Sequence, residues 1–98
     1  MLEEPFGSSG FDWDGGNSDK NWVSHRVSRE ECEQIFGNNP VVDTAVYAGS
    51  ERRHFALGTT DHGRRLFVAF TVREQKVGVI SARDMSRQER RDYERERN

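Results

Sequence analysis

The sequence predicts an α+β fold with two short N-terminal helices, an antiparallel meander sheet and a C-terminal helix. The first observation is period-2 alternation in three apolar runs, Phe55–Leu57, Leu66–Val72 and Val77–Ile80, with polar breaks between them. Such alternation is typical of consecutive antiparallel strands. The second observation is a pair of S-x-x-E capping boxes, beginning at Ser28 and Ser86, and each predicts a helix N-terminus.

The length and composition predict one small domain. The chain has 98 residues, 33% of them hydrophobic and 33% charged, so we expect a small core and an ionic surface. Residues 1–10 are rich in glycine and serine and are predicted to be a flexible segment, whereas residues 11–98 are predicted to form the domain. The single cysteine, Cys32, excludes an internal disulfide. We expect a cytoplasmic protein, because no apolar run is long enough to span a membrane and the acidic start differs from a signal peptide.

Capping residues predict the two N-terminal helices. Asn17 or Ser18 can cap a first short helix that ends near Ser24. Ser28 and Glu31 form the first capping box and open a second helix. The run G-N-N-P at positions 37–40 ends that helix, because glycine favours the position after a helix and proline cannot continue it. The apolar face of the second helix is predicted to comprise Cys32, Ile35 and Phe36.

The predicted strands follow these helices, apart from a candidate short edge strand at Phe11–Trp13. Val41–Tyr47 is apolar and β-branched enough to form a strand. The meander is predicted to run through residues 52–82, with polar turns at positions 60–63 (T-D-H-G) and 73–76 (R-E-Q-K).

The second capping box opens the C-terminal helix, which is expected to run from about Ser86 to Arg97. Apart from Met85 and Tyr93, this segment has few apolar side chains. Its order is therefore predicted to depend on the sheet edge or on another chain.

The charge is distributed unevenly along the chain. Residues 1–49 contain three Lys or Arg and nine Asp or Glu, whereas residues 50–98 contain twelve and eight. Opposite signs in the two halves indicate an anion-binding face on the second half. Planar guanidinium groups pair bidentately with phosphate oxygens, so arginines around a sheet point to nucleic acid. The arginines at the start, turns and exit of the predicted meander are Arg52, Arg53, Arg64, Arg65, Arg73, Arg83 and Arg87.

Several motifs together resemble the BrnT toxins, which are RelE-like ribonucleases of type II toxin–antitoxin modules. They are FDWD (11–14), H-x-V-S-x-E-E (25–31), ALG (56–58), GRRLFVAFT (63–71), ISAR (80–83) and SRQERRDYE (86–94). The resemblance implies a RelE-like α+β fold with the helices on one side of the sheet. It also implies an endoribonuclease that needs no metal or small-molecule cofactor, an RNA substrate and a cognate antitoxin.

Metal-independent RNA cleavage needs groups that transfer protons and cations that stabilise the phosphorane. Histidine suits proton transfer near neutral pH, and arginine suits the phosphorane. The resemblance favours His25 as the proton-transfer residue over His54, which alternation places in a strand, and His62, which lies in a predicted turn. His25 can equally be a linker residue that caps a helix.

The arginines that match the family motif are candidates for binding the scissile phosphate. Arg64 and Arg83 are predicted to converge at one end of the sheet and to act with His25 in catalysis. The predicted RNA-binding residues are Arg53, Arg65 and Arg87. No metal site is predicted, because Cys32 has no partner cysteine and the histidines lack ligand spacing.

The two tryptophans have two interpretations. Trp13 and Trp22 can stack on RNA bases, but in so small a domain we expect them to anchor the core.

The chain departs from the family pattern at Asn17, Ser24, Thr59 and Gly78, where the family commonly has a basic residue. Two other functions therefore stay open: a nucleic-acid-binding module without cleavage, and a domain whose role is to bind an antitoxin. For a toxin, we expect the antitoxin to place an acidic or amphipathic segment against Arg64 and Arg83 and to exclude RNA by competition.

Overall fold

The computed structural model describes residues 10–13, 20, 22, 24–48 and 51–97, and for residues 44–48 and 51 the backbone alone. In chain order the elements are α1 (Arg29–Gly37), β1 (Val41–Ala48), β2 (Glu51–Thr59), β3 (Arg65–Arg73), β4 (Lys76–Asp84) and α2 (Arg87–Arg97). The predicted C-terminal helix and meander are both present, and β1 extends the meander to four strands. No helix in these ranges is long and apolar enough to cross a membrane.

The two capping boxes form as predicted. The Ser28 hydroxyl accepts from the backbone N–H of Glu31 at 3.1 Å, and the Glu31 carboxylate accepts from the backbone N–H of Ser28 at 3.0 Å. The same reciprocal pair opens α2, where the backbone N–H of Ser86 donates to Glu89 at 2.8 Å and that of Glu89 donates to the Ser86 hydroxyl at 3.2 Å. Each box satisfies two donors that a helix start leaves unpaired.

The first of the two predicted N-terminal helices lies mostly outside the described residues. Lys20, Trp22, Ser24 and His25 are helical, but the predicted caps at positions 17 and 18 lie outside the described ranges. The expectation of two N-terminal helices is therefore not confirmed as a whole.

The sheet is a four-stranded antiparallel meander in the order β1-β2-β3-β4. Its register aligns His54 with Phe70 between β2 and β3, and Leu66 with Asp84 between β3 and β4. The predicted short strand near the N-terminus is reduced to one parallel bridge, in which Phe11 lies beside Val77 of β4. In this strand order, β1 forms one edge of the sheet and β4 forms the other.

One face of the sheet carries the core, and we call it the α1 face because α1 packs on it. Gly58 allows the close approach of this helix, since a Cβ built there would lie 2.7 Å from the Ile35 Cβ. Phe36 adds an edge-on ring contact to Phe70 at 5.0 Å between centroids. The side chains that the core cluster contributes on this side are Val27, Cys32, Ile35, Phe36, Ala56, Leu66, Val68, Phe70, Val77, Val79 and Ala82.

The opposite face, which we call the α2 face, is covered in part by the C-terminal helix. The Tyr93 hydroxyl shares a hydrogen bond of 2.8 Å with that of Thr59, whose side chain alternates with the core-facing Gly58. Arg65 of β3 forms an ion pair with Glu94 of α2. The expectation that the helices lie on one side of the sheet is therefore wrong: α1 and α2 pack on opposite faces. The predicted thin packing of α2 is confirmed, because Tyr93 is its buried residue.

Candidate functional site

Arg64, one residue before β3, connects three separate segments of the chain. Its Nε donates to Asp84 Oδ1 at 2.7 Å and its Nη2 to Asp84 Oδ2 at 3.2 Å. Nη2 also donates to the backbone oxygen of His25 at 3.0 Å, and Nη1 to that of Arg26 at 2.7 Å. Nη1 donates further to the Glu31 carboxylate at 3.1 and 3.2 Å. All five guanidinium protons therefore have acceptors within the chain.

The loop before Arg64 determines where its side chain begins. The backbone N–H of Arg64 donates to the Thr60 hydroxyl at 3.0 Å, and its carbonyl accepts from the Thr60 N–H at 2.8 Å. Gly63 closes the turn at φ +88°, in the left-handed region that favours glycine. The T-D-H-G turn predicted from the sequence thus fixes the backbone position of Arg64.

Asp84, the last residue of β4, lies at the centre of the charges in this region. The hydrogen bonds from Arg64 hold the pKa of its carboxyl below the ordinary value, and the positive charges of Arg90 and His25 act in the same direction. Arg64 is thus in direct contact with this carboxylate, and Arg90 and His25 act on it through their charge. His25 and Arg90 are both exposed, so their side chains are accessible from solvent.

His25 is held through its backbone. Besides the bond from Arg64, the neighbouring Arg26 donates its N–H to the Trp22 carbonyl at 2.9 Å and has φ 54°. The Arg26 guanidinium lies 5.5 Å from the Trp22 ring centroid. The His25 side chain itself is exposed. Of the two tryptophans, Trp13 packs against the core as expected, whereas Trp22 is 49% exposed and the prediction that it anchors the core is wrong.

Arg83 lies at the same end of the sheet as Arg64 but on the α2 face. Its guanidinium lies 4.2 Å from the centroid of the Phe67 ring, which belongs to its cross-strand partner. Nη1 and Nη2 donate to the two oxygens of Glu89 at 2.8 and 3.0 Å, and this pairing raises the pKa of Arg83. Nη1 also donates to the Asp84 carbonyl at 3.1 Å. Within the described residues, Nε and one proton of Nη2 have no acceptor.

The three predicted RNA-binding arginines lie in different places. Arg53 is on the α2 face near the far end of β2, and its buried Nε has no hydrogen-bond partner in the described part of the chain. Arg65 is paired with Glu94 near the start of β3. Arg87 is exposed at the first turn of α2.

The other two histidines lie away from His25. His54 is buried on the α1 face, where it stacks on Phe70 at 5.2 Å, and burial lowers its pKa. His62 is exposed in the turn that precedes Arg64. Burial raises the pKa of the Cys32 thiol to about 12, so that thiol is not a nucleophile at neutral pH. No cluster of three or more potential metal ligands occurs in the described ranges.

The structure brings some of the predicted site residues together and separates others. His25 and Arg64 are in direct contact, whereas Arg83 extends from the opposite face and joins them through the backbone of Asp84. Sequence reasoning missed Asp84 and Arg90. One signal for Arg90 was available, because residues three apart on a helix share a face and Arg87 and Arg90 have that spacing.

Comparisons with known proteins give one family. Residues 13–89 match the model for the family described as the ribonuclease toxin BrnT of type II toxin–antitoxin systems. No curated protein sequence matches the chain. The crystal structure of the Brucella abortus ribonuclease toxin BrnT is similar in fold, with a TM-score of 0.59 and 20% sequence identity over 80% of this chain and 97% of that one. Because the family model spans most of the chain, this protein belongs to the BrnT family of ribonuclease toxins.

Proposed function

We propose that the protein is an endoribonuclease toxin that cleaves cytoplasmic RNA without a metal ion and is neutralised by a cognate antitoxin. The observation that supports this most directly is the 3.0 Å hydrogen bond from Arg64 to the backbone of His25. It fixes the backbone of an exposed histidine at the end of the sheet where Arg64 also binds Asp84. A proton-transfer group next to fixed cations is what attack by a 2′-hydroxyl requires.

In this mechanism His25 takes the proton from the 2′-hydroxyl or delivers one to the leaving 5′-oxygen. The phosphorane gains negative charge as it forms. Cations whose N–H groups have no acceptor within the chain can stabilise it. Arg83 retains two such protons, and the exposed guanidinium groups of Arg87 and Arg90 have no hydrogen-bond acceptor among the described residues. We assign the phosphate to these three arginines.

We assign Arg64 a positioning role. A phosphate oxygen would have to replace an acceptor that Arg64 already has, because all five of its protons are used. Its bonds to the backbone of His25 and Arg26 instead fix the segment that presents the histidine. Trp22, exposed next to Arg26, is placed to stack on a base that flanks the scissile phosphate.

Two predicted RNA-binding residues contribute to affinity. Arg53 is half-buried, and Arg65 shares its charge with Glu94. Both lie on the α2 face, as does Arg83, so an RNA strand that reaches Arg83 can continue along this face. Their contribution is sequence-independent, because phosphates carry no base information.

The test compares two exposed histidines. The purified protein is incubated with a single-stranded RNA in EDTA, and the cleavage rates of wild type, His25→Ala and His62→Ala are measured. Loss of the proton-transfer group is expected to slow cleavage by roughly 10²–10⁴-fold. His62→Ala keeps the wild-type rate, since that side chain lies in a solvated turn. Equal rates for the two variants would show that His25 takes no part.

A second function, RNA binding without cleavage, is favoured by one observation. Arg64, Arg65 and Arg83 all pair with carboxylates of their own chain, which weakens the field available to a phosphorane. Under this alternative, the wild-type protein leaves RNA intact but binds it with an affinity that falls as salt rises. Affinity without product, measured in the same reaction, distinguishes the two functions.

A further inference from the structure

An apolar groove runs along the α2 face between the sheet and α2. Its volume is about 470 Å³. The floor is apolar and half-buried, and it includes the stacked rings of Phe55 and Phe67, whose centroids are 5.4 Å apart. The groove lies on the other side of the sheet from His25 and its contacts. The residues that line it are Val41, Val42, Asp43, Phe55, Leu57, Phe67, Asp92, Arg95 and Glu96.

The rim of this groove is acidic. Three carboxylates line it, from Asp43, Asp92 and Glu96, against the one cation Arg95. Arg95 is already paired with Asp92 at 3.1 Å. Of the described residues, none forms an ion pair with Asp43 or Glu96. Such a rim attracts lysine or arginine side chains, so the groove is complementary to a basic, partly apolar ligand.

The groove opens at a sheet edge. β1 is the first strand in the order β1-β2-β3-β4, and no described segment pairs with its outer side. An unpaired edge presents backbone donors and acceptors to any extended segment that reaches it. A segment that adds to β1 directs alternate side chains toward the groove floor.

We propose that this groove and the β1 edge form the docking surface for the antitoxin, and that the docked segment is extended, apolar and basic. The proposal rests on the proposed function, which supplies the partner. It differs from the expectation of an acidic segment on Arg64 and Arg83. Arg64 has no donor left for a partner carboxylate, and Arg83, whose charge is already paired with the Glu89 carboxylate, has only two donors left.

An antitoxin segment that docks in the groove would also prevent RNA from binding. Phe67 lines the groove and its ring carries the Arg83 guanidinium at 4.2 Å. A segment seated on Phe67 therefore ends next to Arg83 and obstructs the phosphate path along the α2 face. The groove binds the antitoxin. RNA binding is then inhibited because the Phe67 ring belongs to the groove and also contacts Arg83.

The test uses charge reversal at the rim. The full chain is co-expressed with the antitoxin of its module, and the complexes of wild type, Asp43→Lys/Glu96→Lys and the control Glu30→Lys/Glu74→Lys are compared. The control reverses two exposed carboxylates that lie outside the groove. We expect the rim variant to bind the antitoxin about 10- to 100-fold more weakly, because like charges then face each other. Its RNA cleavage without antitoxin stays at the wild-type rate.

Hydrogen exchange gives an independent readout on the unmutated chain. Complex formation is expected to protect backbone amides of residues 41–48, and unchanged exchange there overturns the proposal. Equal affinities of the rim and control variants overturn it as well. A gain in RNA affinity in the rim variant but not in the control would show that the groove binds RNA and overturn the proposal. Self-association of the wild type that the rim variant abolishes would show that the groove binds a second copy, and it would overturn the proposal too. If the wild type forms no complex at all, the toxin–antitoxin assignment itself fails.

Discussion

The Nη2 of Arg64 donates a hydrogen bond of 3.0 Å to the backbone oxygen of His25, across a sequence separation of 39 residues. The same nitrogen donates to Asp84, so the end of β4, the start of β3 and the segment before α1 meet at one guanidinium. Arg64 is only partly exposed, with 27% of its side-chain surface accessible. Hydrogen bonds to charged groups are stronger than neutral ones, so this contact stabilises the junction of the three segments.

The first prediction concerns Arg64→Lys. An ammonium group cannot reach acceptors in the forked geometry of a guanidinium, so several of the present bonds are lost. We expect the free energy of unfolding to fall by about 1–3 kcal/mol and RNA cleavage to slow, while RNA affinity changes little. Thermal denaturation, cleavage rates and RNA titration measure the three quantities. Arg91→Lys, on the exposed side of α2, is the control. A wild-type stability for Arg64→Lys would contradict the positioning role.

The second prediction concerns Arg83→Ala. Its remaining donors are assigned to the phosphate, so its loss is expected to slow cleavage on the order of 10²–10³-fold, by analogy with other donors that act on a transition state. Growth arrest on expression should be relieved. Arg91→Ala serves as the control. Because Arg83 also binds Glu89, the folded state of the variant is checked by circular dichroism. Growth arrest that persists in folded Arg83→Ala would remove this residue from the mechanism.

The third prediction concerns the packing of α1. A Cβ at Gly58 would approach the Ile35 Cβ to 2.7 Å and the Ile35 carbonyl oxygen to 3.3 Å, so the helix has to move away from β2. Gly58→Ala is expected to cost about 1–3 kcal/mol of unfolding free energy, as in other overpacked cores. Gly37→Ala is the matched control, since no atom lies within 4 Å of a Cβ built there. Equal denaturant midpoints for the two variants would show that the contact with Ile35 is not tight.

The fourth prediction concerns acid stability. The Glu89 carboxylate accepts from Arg83, which lowers its pKa from the ordinary value of 4.5. A carboxyl group with a lower pKa in the folded state stabilises the fold above the ordinary value, and this contribution is lost as pH falls through the folded pKa. We expect Glu89→Gln to lower the Tm near pH 7 by a few degrees, about the effect of 1 kcal/mol or less, and the difference to shrink as the pH falls below 4.5.

The control for acid stability is Glu96→Gln, at an exposed position without an ion pair among the described residues. Its Tm should follow the wild-type pH profile. A constant offset between Glu89→Gln and wild type across the acid range would mean that the ion pair with Arg83 does not produce the pH dependence.

Local patterns in the sequence were sufficient for α1, α2 and the strands of the meander, but not for the first predicted helix or the predicted strand at Phe11–Trp13. Ser28 and Ser86 start their helices because the capping box needs only residues three apart, and the predicted strand runs lie within β2, β3 and β4. The packing side of α2 was not predictable in this way. It depends on the contact of Tyr93 with Thr59, across 34 residues, and no local spacing encodes that pair.

The candidate site was also predictable only in part, because local spacing gives the position of a residue along a strand but not its long-range contacts. The sequence places Arg64 and Arg83 at one end of the sheet, but the face of each follows from register. Leu66 pairs with Asp84, which leaves Arg83 opposite Phe67 on the α2 face. A shift of one residue would have exchanged the faces. The acceptors that bind all five guanidinium protons of Arg64 come from distant segments, so its hydrogen-bond partners could not be predicted from local spacing.

The chemistry of the cleaved ends tests the central claim most directly. Purified wild-type protein is incubated with a defined single-stranded RNA in EDTA, and the termini of the products are identified by mass spectrometry. Attack by the 2′-hydroxyl with proton transfer through His25 predicts 2′,3′-cyclic phosphate or 3′-phosphate ends together with 5′-hydroxyl ends, and their absence with His25→Ala. Products with 5′-phosphate and 3′-hydroxyl ends, or intact RNA after incubation with the wild type, would contradict it.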